Sequence, residues 1–400
     1  MERKDPLVAQ QIPAPLGVAS IGYAFMGKAH SQAWRNVAAY FDVPPVEQRV
    51  LVGRNQTQVA AAAATFGWNE SATDWRAVLE RDDIHIVDVC TPGNMHAEVA
   101  IAALEAGKHV IVEKPLANTV EEAERMAAAA NAARDRGQHS IVNFNYRRVP
   151  AAALAKKLID EGRIGTIRHV RAAYLQDWLG DPKTPMSWRL RKEDAGSGAL
   201  GDLGSHVADL VMHLTGESID SISGGVTTFV TERPGGNGGD GGIKGSGGGA
   251  LEKVTVDDAA WGTGRLSGGG ILQLEVTRLA LGKKNGLTLE IYGEKGSLRF
   301  ELESLNELWF FDGAAGPGVQ GFTRILVTES DHPYVGAWWP DGHIIGWEHS
   351  FTHQIAELLW SIRDGVPSSP TFEDGLRVQR VLAAIESSAS AGGASVPVAR

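Results

Sequence analysis

Short apolar runs and helix-like stretches alternate along the first third of the chain. Leu16–Ile21, Arg49–Val52, Ile84–Cys90, His109–Glu113 and Ser140–Phe144 are rich in β-branched or small apolar side chains, as strands buried on both faces are. Helical segments lie between them. One begins near Gly27, one is the alanine-rich Gln56–Thr65, and one is Ala97–Ala106, stopped by Gly107. A longer one runs to about Arg136 from a capping box of Thr119 and Glu122. Alternation at this spacing predicts a parallel, right-handed, doubly wound sheet over residues 1–145.

From residue 146 the pattern changes. Ala151–Glu161 is amphipathic and ends at Gly162, and Ile167–Tyr174 alternates like a strand with one buried face. Asp258–Leu266, Gly270–Thr277, Leu287–Tyr292, Ser297–Phe300 and Leu308–Phe311 then read as successive strands joined by glycine turns, a meander. Helices are expected from near Ser205 to Leu214, over His349–Ile362 and over Phe372–Ser388. His349 and His353 are assigned to packing or to a pocket rim. Gly235–Gly249 holds ten glycines in fifteen residues and cannot pack a core; it is expected to join two strands of the second sheet as a mobile loop. A second domain is thus predicted over residues 146–400.

Composition narrows the class. At 400 residues, 43% hydrophobic and 22% charged, the chain has the make-up of a globular protein with ample core. A net charge of -10 argues against nucleic acid or an anionic membrane as partner. The single cysteine, Cys90, allows no internal disulfide and no Cys-rich zinc site. Met1–Pro15 lacks the apolar core of a secretory signal, and no run of ~18 apolar residues reads as a membrane span. A cytoplasmic location is expected.

Candidate chemistry sits at strand ends. Gly22, Ala24 and Gly27 occupy the three fingerprint positions of a Rossmann turn directly after the first strand, with Phe25 and Met26 between. The second strand ends in Gly53-Arg54-Asn55, with no carboxylate to accept a ribose 2′-hydroxyl; the guanidinium suits a 2′-phosphate and leans the reading towards NADP, although it could equally stack on adenine in a site that takes NAD. The apolar strand His109–Val112 rises into Glu113-Lys114-Pro115, which puts a lysine where open α/β sheets bind ligands. Farther on, Asp202, His206 and Asp209 are spaced by four and three on one helical face. His206 is a candidate base and Asp202 its orienting carboxylate, although a capping aspartate and a satisfied histidine fit the same spacing. No second ligand pair accompanies the three, so no metal is expected. Asp177–Arg191, with two tryptophans, reads as a loop that could wall a pocket for a sugar ring.

Taken together, Gly22-Tyr23-Ala24-Phe25-Met26-Gly27, Thr91-Pro92-Gly93-Asn94-Met95-His96, Glu113-Lys114-Pro115 and Gly201-Asp202-Leu203-Gly204-Ser205-His206 resemble the Gfo/Idh/MocA oxidoreductases. Phe144-Asn145-Tyr146-Arg147-Arg148, Tyr174–Trp178, Ser187-Trp188-Arg189 and Ala195–Asp202 resemble one sugar-dehydrogenase branch of that family. The resemblance implies a Rossmann domain followed by an α+β domain with a large open, mostly antiparallel sheet, and oxidation or reduction of a secondary alcohol on a sugar or cyclitol with NAD or NADP. It implies catalysis by Lys114, Asp202 and His206. Cofactor contacts fall to the Gly22–Gly27 turn, Gly53, Arg54, Thr91, Pro92, Asn94, His96, Glu113 and Lys114. Tyr174, Asp177, Trp188 and Arg189 join the catalytic three around the substrate. In the family the Lys–Pro bond is commonly cis. An anhydropyranose or glucoside oxidised at its third carbon is the implied substrate, with inositol oxidation, a redox-cycling glycoside-modifying enzyme that retains its cofactor, and a nucleotide-sensing binding protein as rivals. Broad open sheets of this kind pair between subunits, so a homodimer or homotetramer is expected. Ala24, Gly93 before Asn94, and Gly53-Arg54 depart from the family pattern, and all three bear on which dinucleotide is bound.

Overall fold

The computed structural model describes residues 15–236 and 248–399. The first region runs β1 (Leu16–Ile21), α1 (Phe25–Tyr40), β2 (Val46–Val52), α2 (Gln56–Phe66), β3 (Glu70–Ala72), α3 (Trp75–Leu79), β4 (Ile86–Val89), α4 (His96–Glu105), β5 (His109–Val112), α5 (Val120–Arg134) and β6 (Ser140–Val142). Its strands form one parallel sheet in the order β3-β2-β1-β4-β5-β6. The order reverses between β1 and β4, and the ends of those two strands open a crevice for ligand. The short β3 and α3 have no apolar periodicity long enough to read from sequence. Helix boundaries follow local chemistry: Asn55 caps α2 by accepting the Gln58 N–H, and Gly67 ends it in a left-handed conformation. Thr119 caps α5 through the Glu122 N–H, but the Glu122 carboxylate takes the Asn118 N–H, so the predicted box closes one residue early.

The second region holds α6 (Pro150–Asp160), β7 (Ile167–Leu175), α7 (Lys192–Ala195), α8 (Ser205–Thr215), β8 (Ile219–Thr227), β9 (Glu232–Pro234), β10 (Leu251–Lys253), β11 (Ala259–Leu266), β12 (Ile271–Thr277), β13 (Gly286–Gly293), β14 (Gly296–Glu301), β15 (Glu307–Asp312), β16 (Phe322–Leu326), α9 (His349–Asp364), α10 (Phe372–Ser390) and β17 (Val396–Pro397). Nine strands build a mixed sheet, ordered β16-β15-β14-β13-β7-β12-β11-β8-β17. The meander is therefore interrupted: β7 lies between β12 and β13, parallel to the first and antiparallel to the second. Its strict alternation could not show which strands it would separate. The strands flanking the glycine-rich stretch, β9 and β10, pair only with each other and stand outside this sheet. Residues 237–247, most of the expected mobile loop, lie outside the described residues.

Two cores join the regions. One face of the parallel sheet continues through α5, α6, α8 and α10 into the buried face of the large sheet. On the other face, Phe351, Ile355, Leu358, Leu359 and Ile362 of α9 pack onto Trp34, Val37 and Phe41 of the first region. Each such side chain contributes about 1.5–3 kcal/mol on burial. The late helix α9 is thereby fixed against the early helix α1, which brings Trp347 and Phe351 to the mouth of the crevice. Among the described residues no helix is long and apolar enough to cross a membrane.

Candidate active site

A cavity of about 840 Å³ runs from the end of β2 to the concavity between the two sheets. Its dinucleotide end is shaped by glycines. Gly22 has φ 113°, and a Cβ there would lie 2.5 Å from the Cys90 carbonyl oxygen; a Cβ on Gly27 would strike the Gly22 carbonyl. Both positions need glycine. Ala24 precedes α1 without a side-chain cap, and the first turn carries no acid, so the positive helix end faces the cleft unopposed. Tyr23 packs its ring on the Gly53 backbone and donates its hydroxyl to Gln58 Oε1 at 2.9 Å; Arg54 and Asn55 line the cavity beside it. Phe25, Met26, Thr91, Pro92, Glu113 and His96 line it as well. His96 lies between the Thr91 carbonyl (2.9 Å from Nε2) and the Pro115 carbonyl (3.0 Å from Nδ1) at the ends of β4 and β5, and burial keeps the ring neutral, so its single N–H donates to one of the two. Asn94 is not brought to the cleft. Its Nδ2 donates to Asp194 at 3.2 Å, while Gly93 and Asn118 take the lining positions. The uncapped helix end, the glycine crossing and the slot after β2 fit a dinucleotide.

At the other end the Lys114–Pro115 bond is cis, and Lys114 Nζ donates to the Asp202 carbonyl (2.8 Å) and to Asp202 Oδ1 (3.0 Å). Asp202 lies in a widened, π-type turn, Leu200–Gly204, that leads into α8. The Asp257 carboxylate anchors that turn by accepting the N–H groups of Gly198 (2.6 Å) and Leu200 (2.8 Å). Burial raises the pKa of Asp202, but Lys114, Arg278 and Arg189 outweigh it and hold the carboxyl well below its usual range. His206 stacks on Tyr146 with ring centroids 4.3 Å apart and meets Tyr174 edge-on. Burial and the Lys114 charge push its pKa well below 6.5, so the ring is neutral near pH 7. Tyr146 and Tyr174 share a hydroxyl contact of 2.8 Å, and Tyr174 donates to Asn285 at 2.6 Å. Trp188 and Arg189 line the cavity, the guanidinium 4.5 Å over the indole.

Besides Asn94, other expectations change. Asp202 serves Lys114 rather than His206, because the π-type turn rotates it off the regular helical face on which spacing had put it. Asp209 does not converge with them: its carboxylate accepts from Arg147 Nε at 2.9 Å, away from the cleft. Asp177 accepts the Lys284 ammonium (2.5 Å) and does not line the cavity, whereas Lys284 does. His206, the candidate base, has its pKa shifted far below 6.5. His349 and His353 belong to packing: His353 accepts from Trp338 Nε1 at 2.7 Å, and His349 lies against the same indole. Several lining residues were not singled out from sequence, notably Arg278, Asn285, Trp347 and Phe351, and Tyr146 was named only as part of the Phe144–Arg148 run. Trp347 stacks on Phe25 of the glycine turn and donates to Tyr146 at 3.3 Å, joining the two ends of the cleft. The run of aromatics between Trp338 and Phe351 was the one signal available for it.

Comparison with known proteins gives the same picture. Residues 16–140 match the model of an oxidoreductase family with an NAD-binding Rossmann fold, and residues 152–299 match the GFO/IDH/MocA C-terminal domain. Levoglucosan dehydrogenase of Pseudarthrobacter phenanthrenivorans is 41% identical over 381 residues, 94% of this chain and 96% of that one. An oxidoreductase domain protein from Kribbella flavida superposes with a TM-score of 0.92 at 53% identity, covering 97% of this chain and 100% of that one. A levoglucosan dehydrogenase complex with NADH and levoglucosan does so at 0.89 and 39%, covering 96% and 100%. With the glycine turn, the cis Lys114–Pro115 and the Asp202–His206 turn in one cleft, the chain belongs to the Gfo/Idh/MocA family of oxidoreductases.

Proposed function

We propose that this protein is a dehydrogenase that oxidises a secondary hydroxyl of a pyranose, at the third carbon of levoglucosan or a related glucoside. The observation that carries the proposal is the meeting of Lys114, Asp202 and His206 in the cavity that also holds the dinucleotide cradle. When bound, the nicotinamide accepts the hydride that the carbinol carbon loses. The hydroxyl must shed its proton at the same centre. His206, neutral because burial and Lys114 outweigh the Asp202 charge, is placed to take it. Lys114, aimed by Asp202, holds the oxygen and stabilises its growing negative charge. The aromatic floor of Tyr146 and Tyr174 and the wall of Trp188 suit the faces of a sugar ring, while Arg189, Lys284 and Asn285 face its outer hydroxyls. The levoglucosan-bound relative supports this choice of substrate.

Two observations bear on the dinucleotide. Arg54, with no acid at the end of β2, supports NADP; the NADH in the solved relatives supports NAD, which we take as the cofactor, with NADP accepted through Arg54. Arg54→Ala should lower kcat/KM with NADP several-fold and leave NAD nearly unchanged. The test of function is a panel of levoglucosan, glucose, methyl glucosides and myo- and scyllo-inositol with each dinucleotide, followed by cofactor reduction at about 340 nm, the absorbance of the reduced ring. Reduction with levoglucosan or a glucoside supports the proposal, and reduction with inositols alone replaces it. The open face of the large sheet exposes Trp261 and Phe322, which supports the expected homodimer or homotetramer; light scattering in solution tests it.

A further inference from the structure

A buried charge lies directly behind Lys114. His30, in the second turn of α1, is sandwiched between two carboxylates: Nδ1 faces Asp88 at 2.9 and 3.0 Å, and Nε2 faces Glu113 Oε1 at 2.8 Å. Apart from Asn143 Nδ2, which also lies 3.0 Å from His30 Nε2, the other polar neighbours point at the same two acids. Trp34 Nε1 and the Cys90 thiol donate to Asp88 at 2.7 and 3.4 Å. Asn143 Nδ2 and the Lys114 backbone N–H donate to Glu113 at 2.6 and 3.2 Å. All three members of the trio are buried.

Proton inventory fixes the charge. Each nitrogen of His30 faces a carboxylate oxygen, so each contact needs a hydrogen between its heavy atoms. An imidazolium between two carboxylates, or a neutral ring with one carboxyl protonated, leaves one net negative charge in either case. Burial opposes charge on His30, but Asp88 overrides it and raises its pKa well above the ordinary value. Burial likewise opposes the charge on Glu113, which His30, Asn143 and Lys114 hold in place.

The position of this charge matters because the alcohol end of the cleft is cationic. Lys114, Arg189, Arg278 and Lys284 line it, and the only carboxylates lining the cavity among the described residues are Asp202 and Glu113. The oxidised nicotinamide ring is positively charged and the reduced ring is neutral. A purely cationic wall would therefore bind the reduced cofactor and reject the one that begins the reaction. We propose that the His30–Asp88–Glu113 trio supplies a counter-charge that stabilises the oxidised nicotinamide over the reduced one, so that the cleft captures the oxidant and releases the reduced product. Glu113 adjoins Lys114 and lines the cavity, so the charge acts at the ring end of the dinucleotide. The proposal rests on the dinucleotide reading given above.

The test reads affinities rather than turnover. Dissociation constants for NAD+, NADH and ADP-ribose are measured by calorimetry on the full chain, for the wild type, Glu113→Gln and Asp88→Asn. Glu113→Gln keeps the shape and, with His30 held protonated by Asp88, leaves the trio neutral. It should raise the NAD+/NADH ratio of dissociation constants about tenfold, the scale expected when a unit charge roughly 12 Å away is removed at an effective dielectric of about 20. Asp88→Asn, farther from the ring, should shift the ratio the same way by less. A purely structural role would weaken both forms alike, and a ratio within twofold of wild type in a folded Glu113→Gln overturns the proposal. If neither variant folds, the wild type decides. The proposal expects NAD+ to bind no worse than ADP-ribose, and NAD+ more than tenfold weaker than both other ligands contradicts it. If none of the three binds, the dinucleotide reading itself fails.

Discussion

The two ends of the cleft are built differently. The dinucleotide end is assembled from turns that each follow a strand of one sheet, and its essential features are single residues: the Gly22 crossing, the Gly27 approach and the uncapped start of α1. The alcohol end is assembled from residues far apart in sequence: Lys114, Tyr146, Tyr174, Asp202, His206, Arg278 and Trp347. Local backbone geometry makes the first; long-range packing makes the second. The first should fail by steric exclusion and the second by loss of charge and orientation.

Breaking the alcohol end at its cation should give the largest effect. Lys114→Ala is expected to lower kcat by at least ~10², the scale of a positioned acid–base or charge-stabilising group, with dinucleotide affinity nearly kept. Steady-state turnover paired with calorimetry separates the two. Breaking the other end should show the converse. Gly27→Val places a side chain against the Gly22 carbonyl and should weaken dinucleotide binding by more than tenfold, together with some loss of melting temperature.

The bridge between the ends comes next. Trp347→Leu removes the stack on Phe25 and the bond to Tyr146, so both the dinucleotide and the sugar should show KM values raised several-fold, while substitution of Trp188 should raise that of the sugar alone. The smallest effect is a shift in pH dependence. Burial and Lys114 depress His206, so the base stays unprotonated as pH falls through 6.5, and the acid limb of kcat/KM should lie below that value. In Lys114→Ala the repulsion is gone and the limb should move up towards it. A limb that stays fixed would remove Lys114 as a cause.

This division also explains what could be read from the sequence. Gly22, Gly27 and Lys114 were legible because a strand followed by a turn fixes where one residue must sit. Helices such as α9 and α10 were legible from periodicity, and β7 and β11 to β15 from alternation and glycine turns, whereas β8, β16 and β17 were not read. The partner of Asp202 was not, since a single π-type turn before α8 redirects a carboxylate that regular helical spacing pairs with His206. Asp177 was misplaced for a similar reason: its lysine partner lies about a hundred residues on, at the end of a strand whose neighbours could not be deduced. Nor could the order of the large sheet be read, because β7 enters between two strands of a later meander. His30 lies three residues past the glycine-turn motif, and only the fold shows that Asp88 and Glu113 close on both its nitrogens.

The account turns on His206 as the group that takes the hydroxyl proton beside Lys114. Its most direct test is the reduction of NAD by levoglucosan or the preferred glucoside in wild type and His206→Ala, with NAD dissociation constants measured on both. The account predicts a fall in kcat of at least ~10² with the dissociation constant within a few-fold of wild type. Near-wild-type turnover in a folded His206→Ala would contradict it.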